Sequence, residues 1–189
     1  DNALKQIPKL SGFKRYDNVL YYEQLPLSDH RRYIVGINPD KFIMDRKIRK
    51  EKIECFQHFL LQLNKSLKNA KRDRKEEVVR SNTIIKLKRL KIKKYYEEPV
   101  LKQIYVTVKL KDGTTKKVAS YQVDITQKKE KITKDKLLDG LCVFITNHFE
   151  KKNGKYLLPT ERIIKAYRVK TQIEDAFKNI KSFIKIRPF

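Results

Sequence analysis

Apolar positions along this chain change period several times, and each change marks a predicted element. Val19-Leu20-Tyr21-Tyr22 and Tyr33-Ile34-Val35-Gly36-Ile37 are short apolar runs separated by Pro26, Ser28 and Asp29, which predicts two paired strands joined by a turn. Asn38-Pro39-Asp40 then supplies a helix start. Behind it Ile53, Phe56, Leu60, Leu63 and Leu67 recur at spacings of three and four, the stripe of an amphipathic helix. From Lys71 to Tyr96 the pattern is mixed. Ile85, Leu87, Leu90 and Ile92 are read as lining a second helix packed back on the first, because neither Gly nor Pro interrupts the segment before Pro99.

Beyond Pro99 the period drops to two. Ile104 to Leu110 and Lys117 to Ile125 alternate apolar and polar residues around Asp112-Gly113, which predicts a β-hairpin. A short charged stretch, read as helical, reaches Leu137-Leu138-Asp139-Gly140, and Leu141-Cys142-Val143-Phe144-Ile145 is a continuous apolar run of the kind that makes a buried strand. The last segment, from Pro159-Thr160-Glu161 through Ile184, has the signals of a long helix ended by Arg187-Pro188. On it Ile173, Ala176, Phe177, Ile180 and Ile184 fall on one side at about 100° per residue, and that side is expected to pack on the sheet.

Charge changes the picture more than composition does. The 189 residues carry 46 Lys+Arg against 22 Asp+Glu, a formal net charge of +24, with charged residues at 36% where about 25% is usual. Ten Tyr and nine Phe make the chain too aromatic for a disordered basic tail, so the balance points to a folded protein with a polyanionic partner. Nucleic acid is preferred over an acidic membrane surface. Residues 41–98 hold 19 Lys+Arg and 8 Asp+Glu, which makes this presumed helical pair a phosphate-facing surface or a solvated face. Cys55 and Cys142 are the only cysteines and form neither a disulfide framework nor a metal-binding Cys-x-x-Cys, which fits a reducing, intracellular setting. No apolar run approaches the roughly 18 residues of a membrane span. The first residue, Asp1, and the abrupt end at Phe189 suggest a fragment of something longer. His30, His58 and His148 are isolated, with no two at metal-ligand spacing.

Tyr167, Lys170, Glu174 and Lys181 lie within an arc of roughly 60° on a different side of the last helix from its apolar stripe. One carboxylate therefore stands in a row with two ammoniums and a phenol, an arrangement that i,i+4 ion pairing on an exposed face also produces. The series Tyr167-x2-Lys170-x3-Glu174-x6-Lys181 resembles the Tyr-(2)-Arg-(3)-Glu-(6)-Lys signature of bacterial and archaeal insertion-sequence transposases of the DDE class. Asp139-Gly140-Leu-Cys-Val-Phe-Ile-Thr146-Asn147 is similar to the strand that precedes this helix in the family, and Ile184-Lys-Ile186-Arg187-Pro188 to the segment that follows it. A strand followed by a Lys/Arg-rich helix, here Tyr33 to Lys52, is also usual there. The likeness is close over residues 135–189 and loose elsewhere. Lys170 stands where the family has Arg, which keeps the charge and loses the bidentate fork.

The resemblance implies an α/β fold: a partial ribonuclease-H-like catalytic domain with a basic helical and β-hairpin insertion. Residues 1–39 would be core or edge strands, 40–134 the insertion (helices 40–98, hairpin 104–125), and 135–189 the last core strand and the catalytic-Glu helix. It implies that Glu174 is the third carboxylate ligand of two Mg²⁺ (or Mn²⁺) ions that cut and join transposon-end DNA, with Tyr167, Lys170 and Lys181 on the DNA. The two catalytic aspartates would lie outside this chain, leaving it inactive alone. Asp124 is read instead as a solvent-side hairpin carboxylate, and Asp139 as the cap of a turn. The implied partner is double-stranded DNA, the active complex can be a homodimer, and the setting is a prokaryotic cytoplasm at the nucleoid. Two rival readings are a non-catalytic basic nucleic-acid-binding module and a protein whose helical hairpin, residues 40–98, is a partner-binding arm.

Overall fold

The structure, a computed structural model, describes residues 12–17, 20–25 and 30–184, with side chains to residue 180. In chain order the elements are β1 (Lys14–Arg15), β2 (Tyr21–Gln24), β3 (Arg32–Ile37), α1 (Pro39–Lys68), α2 (Glu76–Arg89), a 3-10 turn (Lys93–Tyr95), β4 (Val100–Lys109), β5 (Thr115–Asp124), α3 (Lys129–Lys136), β6 (Leu141–Thr146), β7 (Lys151–Lys152), β8 (Lys155–Tyr156) and α4 (Thr160–Ile184). The fold is mixed α/β with small antiparallel sheets. It divides into two units, Asp1–Ile43 with Gly140–Phe189, and Met44–Asp139.

In the first unit four antiparallel strands run in the order β1-β2-β3-β6. The strands expected near residues 19–22 and 33–37 are β2 and β3, which pair as expected; Val19 and the turn at Pro26, Ser28 and Asp29 lie outside the described residues. Alternation puts Tyr22, Ile34, Cys142 and Phe144 on one face, where they join Leu20 and the α4 residues Ile163 and Ile164 in the core. Gly36 sits among them because a Cβ there would come within 2.7 Å of Cys142 Sγ and 3.0 Å of Leu20. Asn38 starts α1 by accepting the Lys41 amide at 3.0 Å, with Pro39 at the first helical position. Gly140 has φ of 69°, and a Cβ would lie 2.7 Å from the Asn38 carbonyl oxygen, so this turn into β6 needs glycine twice over.

The run Leu141–Ile145 forms the expected strand but not a buried one. In the described sheet β6 pairs only with β3, and one face lacks a covering layer, so Val143 is 54% and Ile145 42% exposed.

The second unit follows its sequence pattern more closely. Phe56 and Leu67 of the α1 stripe are buried, with Ile53, Leu60 and Leu63 packed beside them. Phe56 joins Leu87, Ile92, Tyr95, Tyr96 and Ile132, while Leu67 joins Val79 and Val123 of the hairpin. Ile85, expected in this interface, is 42% exposed. It stands two residues, hence about 200°, from Leu87, and the buried positions of α2 are Val79, Thr83 and Leu87 at intervals of four. Polar side chains dock the hairpin on the helices. The Asn64 amide donates to the Val123 carbonyl and accepts its amide, both at 2.9 Å, and Ser120 donates to the Leu67 carbonyl at 2.8 Å. Asp124 is paired with Lys102 at 3.2 Å on the exposed side, as read from sequence.

Asp139, in the turn before β6, does more than its sequence position suggests. It is buried, and its carboxylate takes both terminal nitrogens of Arg49 while Arg46 Nε lies 3.4 Å away. That fork ties the end of the unit to α1 and raises the affinity of the Arg49 guanidinium for its proton.

Candidate nucleic-acid interface and the Glu174 helix

The start of α4 is built around a buried cation. Arg32 of β3 is fully buried, donating from Nη1 to the carbonyls of His148 (3.0 Å) and Leu158 (2.7 Å) and from Nη2 to Gln24 Oε1 (2.9 Å) and Thr160 Oγ1 (3.1 Å). Its guanidinium lies 3.7 Å from the centre of the Tyr156 ring. These acceptors are neutral oxygens, and desolvation lowers the Arg32 pKa. Thr160 in turn donates to Gln24 Oε1 at 2.8 Å, so one side chain fixes β2, β3 and the first residue of α4 together. One residue on, Glu161 accepts a hydrogen bond from the Tyr22 hydroxyl. Desolvation first, then this bond and the carboxylate charge, push Tyr22 up to about 12, while the same bond holds Glu161 below the usual carboxylate range.

Two turns later the helix makes its last described contacts with the sheet. Tyr167 donates to the Ile145 carbonyl at 2.7 Å and sets its ring edge-on to Phe144 at 5.4 Å. Arg168 pairs with Asp17 and covers the Tyr16 ring at 5.0 Å.

From Val169 to Ile180 every residue is exposed. Ile173, Phe177 and Ile180, expected to pack on the sheet, are 51%, 60% and 48% exposed, and Ala176 is exposed with them. Ile163, Ile164 and Tyr167 make the packing instead. The reason is length: 25 helical residues span about 37 Å, whereas a six-residue strand spans about 20 Å, so α4 overruns the sheet.

Tyr167, Lys170 and Glu174 thus share one continuous helix, as their spacing requires, but in different settings. Tyr167 is held against β6. Lys170 and Glu174 lie beyond the contact and face one another at 3.7 Å, with side chains 70% and 55% exposed. Lys181 is on the same helix with its side chain outside the described residues, as is the segment Lys185 to Phe189; the expected stop at Arg187-Pro188 falls there. Among the described residues no group of three or more His, Cys, Asp or Glu is placed to hold a metal ion. Asp175, next to Glu174, is paired with Lys178 at 3.0 Å.

Exposed cations stand in several stretches of the second unit, among them Lys88, Arg89, Lys91, Lys93 and Lys94 at and after the end of α2 and Lys129, Lys131, Lys134 and Lys136 along α3. The connection between α1 and α2 exposes Lys71, Arg72, Arg74 and Lys75, and the outer hairpin exposes Lys109, Lys111, Lys116 and Lys117. On α1, by contrast, Lys47 and Lys50 are matched to Glu51 and Glu54 one turn on, at 3.9 and 3.7 Å. Sequence reasoning passed over Arg32, whose signal was a charged residue in register with the inward positions Ile34 and Gly36. It also passed over the Arg49–Asp139 fork, whose partners stand 90 residues apart and give no local signal. No helix among the described residues is long and apolar enough to cross a membrane. No family model matches the chain, and no curated protein or solved structure matches it either.

Proposed function

We propose that this chain is part of an insertion-sequence DDE transposase, which cuts and joins transposon-end DNA by metal-dependent phosphoryl transfer on a ribonuclease-H-like sheet. The observation that carries the reading is the join of β6 to α4. The strand bearing the Asp-Gly-(apolar)-Thr-Asn run receives the signature Tyr167 on its Ile145 carbonyl, and the same helix carries Lys170, Glu174 and Lys181 past the sheet at the signature spacing. Among the described residues β6 has one unpaired edge, Val143 and Ile145 are exposed and so is the apolar stripe of α4, which agrees with a sheet-and-helix layer that further strands would complete.

The described residues do not by themselves fit a pair of Mg²⁺ ions. Such ions take about six oxygen ligands each, and Glu174 offers one carboxylate with a lysine as its neighbour. On this reading Glu174 is one ligand of the centre and the two aspartates come from polypeptide outside these 189 residues. Bound ions would activate the attacking oxygen and stabilise the leaving one. Lys170, once released from Glu174, and Lys181 would sit against flanking phosphates.

In the full-length parent, Glu174→Gln should abolish Mg²⁺-dependent cleavage of end-containing DNA and leave DNA binding within about twofold. The 189-residue chain alone should not nick DNA. Normal cutting by the variant would end the transposase assignment of Glu174. It would favour a second reading, a non-catalytic basic nucleic-acid-binding module, for which the exposed Lys170–Glu174 pair is an ordinary i,i+4 contact.

A further inference from the structure

The hairpin of β4 and β5 is anchored at its base and bare at its end. Val123 and Ser120 are buried against the helices, and Val118 is the outermost buried residue of β5. From Thr107 round the turn to Lys117 every residue but Val108 is exposed. The turn itself is well defined, with Gly113 at φ of 82° and Asp112 Oδ1 accepting both the amide (3.0 Å) and the hydroxyl (2.6 Å) of Thr114. Thus the end of the ribbon is exposed, and its turn is set by its own hydrogen bonds.

Its chemistry is that of a surface for polyanions. The free end carries Lys109, Lys111, Lys116 and Lys117 against the single acid Asp112, which the turn already uses. On one face of the ribbon, register places Gln103, Tyr105 and Thr107 in line, with Ala119 opposite Tyr105 and Lys117 opposite Thr107. Tyr105 is 69% exposed, having only a methyl group across from it, and Gln103 donates to its hydroxyl at 3.4 Å. At Ala119 the ribbon also meets the cationic connection. The Ala119 amide donates to Asp73 at 2.7 Å, and the Ala119 carbonyl accepts the Arg74 amide at 2.9 Å. Lys71, Arg72, Arg74 and Lys75 therefore flank the base of a ribbon whose tip is also positive.

We propose that this hairpin is a β-ribbon that enters the major groove of duplex DNA, with Lys71 to Lys75 on the phosphates at the groove's edge. The inference rests on the nucleic-acid reading above and adds which element reads the duplex. Dimensions favour this groove. A ribbon with strands about 4.8 Å apart fits the roughly 12 Å major groove of B-DNA and is too wide, with side chains, for a minor groove of about 6 Å. Three strand residues and the turn reach about 10 Å past the last buried position, enough for a groove about 8.5 Å deep. Thr107, beyond the last buried position, supplies a group for base edges, Tyr105 and Gln103 stand farther back along the ribbon, and the lysines supply phosphate contacts. A-form RNA closes its deep groove to such a ribbon, so duplex RNA should be the poorer ligand.

The test uses the 189-residue chain and a fluorescent 25-base-pair duplex, with anisotropy read across a salt series. Replacing the tip lysines together (K109Q, K111Q, K116Q, K117Q) should lower the slope of log K against log salt by roughly two to four, since each phosphate neutralised contributes about 0.9. The variant should melt with the wild type, because the tip buries nothing. A second arm needs no variant. Wild-type chain should bind at least about tenfold more weakly to a duplex whose major groove is filled by glucosylated hydroxymethylcytosine, while netropsin in the minor groove should leave binding within about twofold. An unchanged slope, equal binding to the groove-filled duplex, or equal binding to duplex RNA overturns the proposal. If the chain still binds DNA in those cases, the transposase reading survives and is judged by Glu174→Gln in the parent. If the chain binds no duplex at all, this proposal falls and the nucleic-acid reading falls with it.

Discussion

Replacing Asp139 by Asn keeps the volume of the side chain and removes the charge that two arginines share. The carboxylate is 2% exposed and Arg49 is 12% exposed, so water can reach the orphaned guanidinium but not surround it. Two charge-assisted hydrogen bonds of about 1.5–3 kcal/mol each are at stake, and the Asn oxygen recovers one neutral bond of about 1 kcal/mol. Loss of one partner from a buried pair costs about 3–5 kcal/mol, which sets the ceiling. The expected loss is therefore about 2–4 kcal/mol. Hydrogen exchange is the suitable assay for a chain of two units, because it reads the second unit without assuming one transition for the whole. The slowest amides of α2 and β5 should exchange about 30- to 900-fold faster in the variant. Asp124→Asn is the control. Its partner Lys102 is 70% exposed, so that variant should change the same amides by less than about 0.5 kcal/mol. A loss below about 1 kcal/mol in Asp139→Asn would refute the view that this fork holds the unit together.

Two further outcomes follow from the α4 helix. Tyr22 should ionise near 12 in ring-resolved NMR titration, and Glu161→Gln should bring it down while leaving it above 10, because desolvation remains. The sign of the stability effect is set by the raised value: the Tyr22 contribution is complete below pH 10 and fades as pH rises through about 12, whereas that of Glu161 is lost as pH falls through its lowered pKa. Ile173→Lys and Phe177→Lys should each change the stability of this chain by less than about 0.5 kcal/mol in denaturant melts, since both sites are exposed, and a loss above about 2 kcal/mol would mean that they are covered.

Legibility in the sequence tracked how local each decision was. The stripe from Ile53 to Leu67 was readable because a long helix on a helical and hairpin layer buries the face its period marks. The hairpin was readable because Asp112-Gly113 makes its own turn. The exposure of Ile173, Phe177 and Ile180 was not, because period shows which residues share a face and not how many strands lie beneath them. Val143 and Ile145 failed for the same reason: a continuous apolar run reads alike in a central strand and in an edge strand with a bare face. Of the candidate site, the order of Tyr167, Lys170 and Glu174 along one helix was legible, while the anchoring of Tyr167 on a backbone carbonyl was not.

A helix gripped at one end behaves as a cantilever. The last described contacts of α4 with the sheet are at Tyr167 and Arg168, and Glu174 stands six residues farther out, about 9 Å along the axis. A tilt of 10° at the grip carries its carboxylate sideways by about 1.6 Å, and at Ile180 by nearly twice that. Chemistry on a phosphate tolerates errors of roughly 0.5 Å. If Glu174 holds a metal ion as proposed above, a clamp at Arg32, Thr160 and Tyr167 does not by stiffness alone meet that tolerance, and the outer part of α4 would need a second bearing. The apolar stripe of Val169, Ile173 and Phe177 is the surface on which such a bearing would press.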